Sequence, residues 1–126
     1  EKGNTKEYDY YKKTQMPIFT YSSLARGFLT GRVTYENFKE EKKNLKLDCR
    51  IPYESKENLE RLKRAEELAK KHGCTVSQIS LAYLLAQPLK VFPIVATTNL
   101  DRLKSNLASC DIALSQEEVD YLSYQE

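Results

Sequence analysis

Two short runs of apolar residues constrain the fold of this chain more than any other feature of its sequence. Residues 16–21 and 91–95 are continuous apolar, aromatic and β-branched stretches, which predict buried strands. Residues 55–73 and 75–86, which lie between them, have the spacing of helices. A strand, a pair of helices, a strand and a helix predict a parallel α/β arrangement, because parallel strands need a long crossover connection.

The two intervening helices have different patterns. The first begins at Ser55 and ends at Gly73, and its apolar residues recur at three- and four-residue spacing, which predicts an amphipathic helix: Leu59, Leu62, Ala65, Leu68 and Ala69. The second begins with a capping box, Thr75 and Gln78. Its residues 79–86 are apolar nearly all round, which predicts a core helix buried on more than one side.

The remaining segments are predicted less sharply. A short helix is predicted over about 4–14, and another after the second strand that holds Leu100, Leu103 and Leu107. A capping box, Ser115 and Glu118, predicts a terminal helix. Residues 32–54 are rich in lysine and only weakly periodic, so we predict mostly a long surface loop there.

Two strands are too few for a stable parallel sheet, since both faces of each strand must be covered. The chain has 126 residues, about half of the ~250 residues that a closed eight-stranded α/β barrel needs. We therefore predict the end of a larger sheet or barrel whose earlier strands are missing. Residue 1 is Glu rather than Met, which also indicates a processed, cloned or partial chain.

Composition excludes several classes of protein. With 20 Lys and Arg against 18 Asp and Glu, the net charge of +2 predicts no nucleic-acid partner. The longest apolar stretch, 81–86, is far shorter than the ~20 residues needed to cross a bilayer, and no secretory leader is visible, so we expect a cytoplasmic protein with no membrane partner. Cys49, Cys74 and Cys110 are widely spaced, which argues against a disulfide framework and against a zinc site.

The segment after the first predicted strand has residues that suit an anion. It carries two arginines, Arg26 and Arg32, which suit a phosphate, and two glycines, Gly27 and Gly31, at which the backbone can approach a ligand closely. It lacks the Gly-Lys-Ser/Thr ending of a Walker loop and the Gly-x-Gly-x-x-Gly fingerprint. On residue types alone, the segment is either an anion site or merely a structured turn.

The segment after the second predicted strand is a hydroxyl-rich helix start. Unpaired backbone N–H groups and the positive end of the helix dipole favour an anion there. Arg102 and Asn106 are four residues apart and share one helix face, with Ser105 beside them, which suits a phosphate monoester. The alternative is that Thr98 or Asn99 simply caps the helix and that Arg102 is a solvated surface charge.

Three blocks of the sequence together resemble one family. PIFTYSSLARGFLTGR at 17–32, GCTVSQISLAYLL at 73–85 and PIVATTNLDRLKSN at 93–106 are similar, in order and spacing, to the carboxyl-terminal part of aldo-keto reductases. The resemblance runs from about Met16 to Leu122. It implies an α/β fold in which residues 1–126 form the carboxyl-terminal portion of a (β/α)8 TIM barrel, the last two strands with their helices.

The resemblance also implies a set of cofactor-binding residues for NADP. Tyr21 matches the aromatic residue that stacks on the nicotinamide, and the residues that follow it match the pyrophosphate contacts: Ser22, Leu24, Arg26, Gly27 and Arg32. The adenosine 2′-phosphate and adenine contacts are matched after the second strand, with Thr98 also in the predicted site: Thr97, Arg102, Ser105 and Asn106. Ser105 departs from the usual Glu and Ala96 from Lys or Gly, which leaves Arg102 as the principal cation.

The resemblance places the chemistry of the family outside this chain. The Asp, Tyr, Lys and His with which these enzymes reduce carbonyl substrates belong to earlier strands, so we predict no catalytic residue here and an inactive isolated chain. The one histidine, His72, is expected to be structural or solvated. The alternative function is a non-catalytic nucleotide-binding or protein-interaction module that self-associates through its unpaired sheet edges.

Overall fold

A computed structural model of the chain describes residues 5–45 and 52–123. Cys49, Asn4 and part of the predicted surface loop therefore lie outside the described residues. In the described ranges the α-helices and β-strands follow one another as α1 (Thr5–Thr14), β1 (Ile18–Thr20), α2 (Phe38–Glu41), α3 (Lys56–His72), α4 (Val76–Leu85), β2 (Val91–Pro93), α5 (Leu100–Leu107) and α6 (Gln116–Leu122). Short 3-10 turns occur at Ala25–Gly27, Lys42–Asn44 and Ala108–Asp111.

The two strands pair in parallel, as the sequence predicts. Ile18 lies opposite Val91, and Thr20 lies opposite Pro93. The crossover between the strands contains α3 and α4, and α4 packs against both α3 and β2. The chain thus forms the parallel α/β unit predicted from its apolar runs.

The burial predicted for the first apolar run, residues 16–21, is not reached in the described structure, and the second strand is also partly exposed. Phe19 is 67% exposed, and Phe92 and Ile94 are 44% and 51% exposed. Phe19 and Phe92 stack on each other with ring centroids 5.3 Å apart, and both rings remain exposed. The apolar pattern predicts strands that can be buried on both faces. Burial of both faces requires a layer of helices on each side of the sheet, and the described residues do not bury Phe19 or Phe92.

Helix α3 begins and ends where the sequence predicts. The Ser55 side chain accepts a hydrogen bond from the Asn58 N–H at the first turn. At the other end Gly73 adopts a left-handed φ of 63°, and the Cys74 N–H donates to the Ala69 carbonyl at 2.9 Å. This arrangement closes the last turn, and glycine adopts the left-handed conformation without a Cβ clash. Of its predicted apolar stripe the helix leaves Leu59 half-buried and buries Leu62, Ala65, Leu68 and Ala69.

Both predicted capping boxes are present. In each, the Ser or Thr side chain accepts the N–H of the third helical residue, and the Gln or Glu side chain accepts the N–H of the capping residue. Helix α4 buries Ile79, Leu81 and Ala82 at no more than 3% exposure, which confirms a core helix over these residues. Its end is less buried than predicted, since Leu85 is 41% exposed.

Residues 32–45 lie mostly at the surface, as predicted, but two of them are anchored in the core. Val33 and Phe38 are 0% and 6% exposed. They share a core cluster with Ala25, Phe28 and Leu62. The segment is also tied to α3, since the Tyr35 N–H donates to the Glu66 carboxylate at 2.9 Å. A few apolar anchors therefore fold this segment onto the core while its charged residues face solvent.

Helix α6 is attached to α3 by a buried carboxylate. Glu118 Oε1 accepts hydrogen bonds from Lys71 Nζ at 2.7 Å and contacts His72 Nε2 at 2.8 Å. Glu118 Oε2 accepts the Ser115 N–H at 3.0 Å. The hydrogen bond from Lys71, that from the Ser115 backbone and the contact with His72 together lower the pKa of Glu118 from 4.5 to about 2. The geometry gives His72 a structural partner, in line with its expected structural role.

The helices are too short or too polar to span a bilayer in the part of the chain that the structure describes, residues 5–45 and 52–123.

Candidate functional site

The two segments singled out in the sequence leave the sheet at neighbouring points. Strands β1 and β2 are parallel, so their carboxyl ends meet at one edge. There the Ile94 N–H donates to the Thr20 carbonyl at 2.8 Å. Residues 21–31 and 96–106 therefore start side by side, at the end of a parallel sheet where ligands usually bind.

Ser23 connects the two strand ends with its side chain. Its Oγ lies 3.0 Å from the Thr20 carbonyl oxygen and 3.2 Å from the Ile94 carbonyl oxygen. The single hydroxyl proton is shared between two acceptors, one at the end of each strand. Sequence reasoning did not select Ser23 for the site; its position just after an apolar run, where serine commonly bonds nearby backbone, is the signal that could have found it.

The turn after β1 has an unusual backbone. Ser22, Ala25 and Arg26 have left-handed φ values of 56°, 50° and 52°, and Gly27 has a φ of 105°. The Ala25 N–H donates to the Ser22 carbonyl at 2.8 Å, and the Gly27 N–H donates to the Leu24 carbonyl at 3.1 Å. A non-glycine residue in the left-handed region costs roughly 1–2 kcal/mol. Such a conformation persists only where its surroundings hold it, and functional turns are where it is most often found.

The side chains of this turn fall into two groups. Tyr21 is 76% exposed at the end of β1, so the face of its ring is accessible. Arg26 is also exposed, whereas Leu24 is half-buried. Arg32 instead approaches Glu41 of α2, with 3.8 Å between Nε and Oε2. The structure thus places Tyr21 and Arg26 at the surface of the predicted site and turns Arg32 partly toward α2.

The second segment both caps a helix and exposes a cation. Asn99 Oδ1 accepts the Arg102 N–H at 2.9 Å, and Thr97 Oγ1 accepts the Asn99 N–H at 3.1 Å. Asn99 is therefore the N-cap of α5. The sequence alternative that Thr98 or Asn99 caps this helix is thus met by Asn99. Thr98 and Arg102 are exposed beside this cap.

Ser105 and Asn106 lie further along α5 and are half-buried. Together with Thr97, Thr98 and Arg102 they give the start and one side of α5 hydroxyl, amide and guanidinium groups. This set of donors fits an anionic phosphate, because the guanidinium can donate two hydrogen bonds to it and the helix dipole favours negative charge.

Helix α4 donates side-chain hydrogen bonds to both segments. The Ser77 hydroxyl donates to the Leu29 carbonyl at 3.1 Å, and the Gln78 amide donates to the Ser105 carbonyl at 2.9 Å. From the sequence, Gln78 was assigned only to the capping box of α4. Gln78 and Ser105 are 27 residues apart, and no local sequence pattern predicts a contact between them.

Comparison with known proteins gives a consistent result. The model of the Aldo/keto reductase family matches residues 3–124. The chain is 36% identical over 106 residues to "Probable aldo-keto reductase 1" of Glycine max, an alignment that covers 81% of this chain and 30% of the soybean protein. It is 30% identical over 118 residues to "Probable pyridoxal reductase 2" of Schizosaccharomyces pombe, covering 89% of this chain and 35% of that protein.

A further relative carries a cofactor in its name. "Aldo-keto reductase yakc [NADP(+)]" of Schizosaccharomyces pombe is 31% identical over 109 residues, covering 86% of this chain and 32% of that protein. The chain therefore spans about a third of the length of the curated relatives that it matches.

Proposed function

Because this chain belongs to the aldo/keto reductase family, we propose that it is the cofactor-binding, carboxyl-terminal part of an NADPH-dependent carbonyl reductase. In this proposal residues 1–126 supply the last two strands of a (β/α)8 barrel, with their helices. The observation that carries it is the meeting of the two predicted cofactor segments at the carboxyl ends of β1 and β2, joined by the 2.8 Å bond from Ile94 to Thr20.

The end of α5 that carries Arg102 holds the adenosine 2′-phosphate in this proposal. Arg102 is exposed and lies in the first turn of α5, beside the hydroxyls of Thr97 and Thr98. A phosphate there receives charge-assisted hydrogen bonds and the favourable end of the helix dipole. Asn106, with Ser105 beside it, contacts the adenine. Since Ser105 replaces the carboxylate usual in the family, the adenine is held mainly through Asn106.

The turn after β1 holds the other half of the cofactor. The exposed ring of Tyr21 stacks against the nicotinamide, which fixes the orientation of that ring. The pyrophosphate lies along the turn that follows, in contact with Ser22, Leu24, Arg26, Gly27 and Arg32. Bound NADPH supplies the hydride for reduction of an aldehyde or ketone.

The chain orients a cofactor but does not protonate a substrate. The family's general acid and the lysine that lowers its pKa have no match among these residues, and loss of a general acid removes roughly 10²–10⁴ in rate. We therefore propose that the isolated chain does not reduce carbonyls, and that a small carbonyl substrate binds only to the whole barrel. The chain covers only 30–35% of the relatives named above.

Cofactor selectivity tests the proposal. Replacing Arg102 with Ala is expected to weaken NADPH binding roughly ten- to hundredfold, since a charged hydrogen bond contributes about 1.5–3 kcal/mol, and to leave NADH binding nearly unchanged. Asn106→Ala is the matched control, because loss of an adenine contact weakens binding of both cofactors. Affinities are measured by calorimetric titration. Equal losses of NADPH and NADH affinity in Arg102→Ala would show that the phosphate site has been misplaced.

A second candidate function is favoured by one observation. The stacked pair Phe19 and Phe92, with Ile94 beside it, forms an exposed apolar face on the sheet. Exposed faces of this kind and unpaired strand edges promote association. In this alternative the chain is a self-associating, non-catalytic module. Sedimentation of the chain alone discriminates: a concentration-dependent dimer without any cofactor binding favours the module.

A further inference from the structure

We propose that Gln78 is a positioning residue for the phosphate-binding helix α5. The inference rests on the proposed function, in which α5 binds the cofactor. In this role Gln78 never touches the cofactor itself. It acts by fixing the position of α5 relative to the core helix α4, through a contact in the second half of α5.

The side chain of Gln78 makes two sets of contacts with its two ends. Its Oε1 accepts the Thr75 N–H at 2.9 Å, which completes the capping box of α4. Its Nε2 donates to the carbonyl of Ser105, in α5, at 2.9 Å. One half-buried amide therefore joins the first turn of α4 to the middle of α5, and each of its polar ends has a partner.

Helix α5 depends on such a polar link because it is weakly packed. It buries none of its own residues, and Leu100, Leu103 and Leu107 are 64%, 38% and 60% exposed. Apolar burial usually decides how firmly a helix is held, and here it contributes little. Among the described residues, α5 is also held by the chain from β2, by the 3-10 turn with the buried Ser109, which packs on α4, and by the Gln78 amide.

A small movement of α5 matters for a phosphate contact. A charge-assisted hydrogen bond weakens steeply when the distance between donor and acceptor increases or when their alignment is lost. Arg102 lies three residues before Ser105, on the same short helix. Freeing the Ser105 carbonyl from Gln78 therefore loosens the guanidinium relative to the rest of the site, and the 2′-phosphate is the part of the cofactor most affected.

Two substitutions separate the link to α5 from the cap of α4. Gln78→Glu keeps an acceptor for the Thr75 N–H, since Glu serves equally in a capping box, but it has no N–H to donate to Ser105. Gln78→Met removes both contacts without adding a charge. The control is Thr75→Ala, which removes the hydroxyl that accepts the backbone N–H of Gln78 at 3.2 Å and that lies 3.3 Å from Gln78 Oε1. It keeps the Thr75 N–H that Oε1 accepts and the Ser105 carbonyl to which Nε2 donates.

The experiment uses the full 126-residue chain and two readouts. Amide hydrogen exchange reports how firmly α5 is held, and titration with NADPH and NADH reports cofactor preference. We expect both Gln78 variants to exchange faster along α5 and to lose roughly five- to tenfold in NADPH preference, the size of one lost hydrogen bond. Thr75→Ala is expected to destabilise α4 while α5 exchange and cofactor preference stay near those of the wild type.

The other possible results contradict either the positioning role of Gln78 or the proposed phosphate site. Unchanged exchange along α5 in Gln78→Met would overturn the positioning role. An equal loss of preference in Thr75→Ala would overturn it too, because the effect would then come from the cap of α4. A wild-type chain that binds NADPH and NADH equally would contradict the proposed phosphate site, while the exchange comparison would still decide whether Gln78 holds α5.

Discussion

The hydroxyl of Ser23 lies 3.2 Å from the carbonyl oxygen of Ile94 and joins the two strand ends at the candidate site. It also lies 3.0 Å from the Thr20 carbonyl, which already accepts the Ile94 N–H. A side chain thus adds one polar contact beyond the last backbone hydrogen bond of the sheet. The relative position of the two segments is fixed at the point where both begin.

Removal of this hydroxyl is expected to destabilise the chain and to loosen both segments. Ser23→Ala should lower the free energy of unfolding by about 1 kcal/mol, because an intramolecular hydrogen bond is lost and two strand ends are no longer linked. Urea unfolding measures the loss. Thr30→Ala is the control, since the Thr30 hydroxyl bonds the Gly27 carbonyl within one turn and is exposed. A loss in Thr30→Ala as large as that in Ser23→Ala would contradict a special role for the link between strands.

Two leucines test where the stability of the chain resides. Leu62 is 0% exposed in the core, whereas Leu100 is 64% exposed on α5. Leu62→Ala should cost about 2–5 kcal/mol, because it leaves a cavity, whereas Leu100→Ala should stay within about 0.5 kcal/mol. Thermal and urea unfolding of both variants make the comparison. Similar losses would mean that Leu100 is buried in solution, as it would be in a self-associated chain.

Glu118 gives the chain a specific dependence on pH. Its pKa falls from 4.5 to about 2 on folding, so its contribution to stability is complete above about pH 4.5 and is lost as the pH falls toward 2. Glu118→Gln keeps a side chain that suits the capping box but removes the charge. At neutral pH this variant should be less stable than the wild type by about 1 kcal/mol, because Lys71 is exposed and water screens the pair.

Unfolding of Glu118→Gln and of the wild type from pH 7 to pH 2 checks this dependence. The difference in stability between them should shrink across the acidic range, since protonation makes Glu118 resemble the neutral variant. A difference that stays constant down to pH 2 would show that the carboxylate charge does not stabilise the attachment of α6.

The parts of the fold that sequence reasoning predicted correctly depend on local patterns. Ser55, Gly73 and the two capping boxes set helix ends through contacts within four or five residues, so their pattern is visible in the sequence. The exposure of Phe19 could not be predicted in the same way, because it depends on which elements cover that face of the sheet. Val33 and Phe38 were missed because two apolar residues in a lysine-rich segment make no periodic pattern.

The candidate site shows the same division between local and distant contacts. Asn99 as a helix cap and Arg102 as an exposed cation follow from residues a few positions apart. The contacts of Ser23 with Ile94 and of Gln78 with Ser105 join segments that are 71 and 27 residues apart. Contacts of that kind are created only when the chain folds, and a single sequence does not reveal them.

The burial of Phe28 has a consequence for how freely this protein can vary. Phe28 follows the left-handed turn directly, is 2% exposed, and packs against Phe38 at a ring distance of 6.2 Å and against Tyr53 at 6.1 Å. The strained turn is therefore held by Phe38 and Tyr53, neither of which is among the predicted cofactor contacts. A deletion or insertion between Val33 and Phe38 would shift Phe28 and, with it, the turn, so the site constrains the number of residues between Val33 and Phe38.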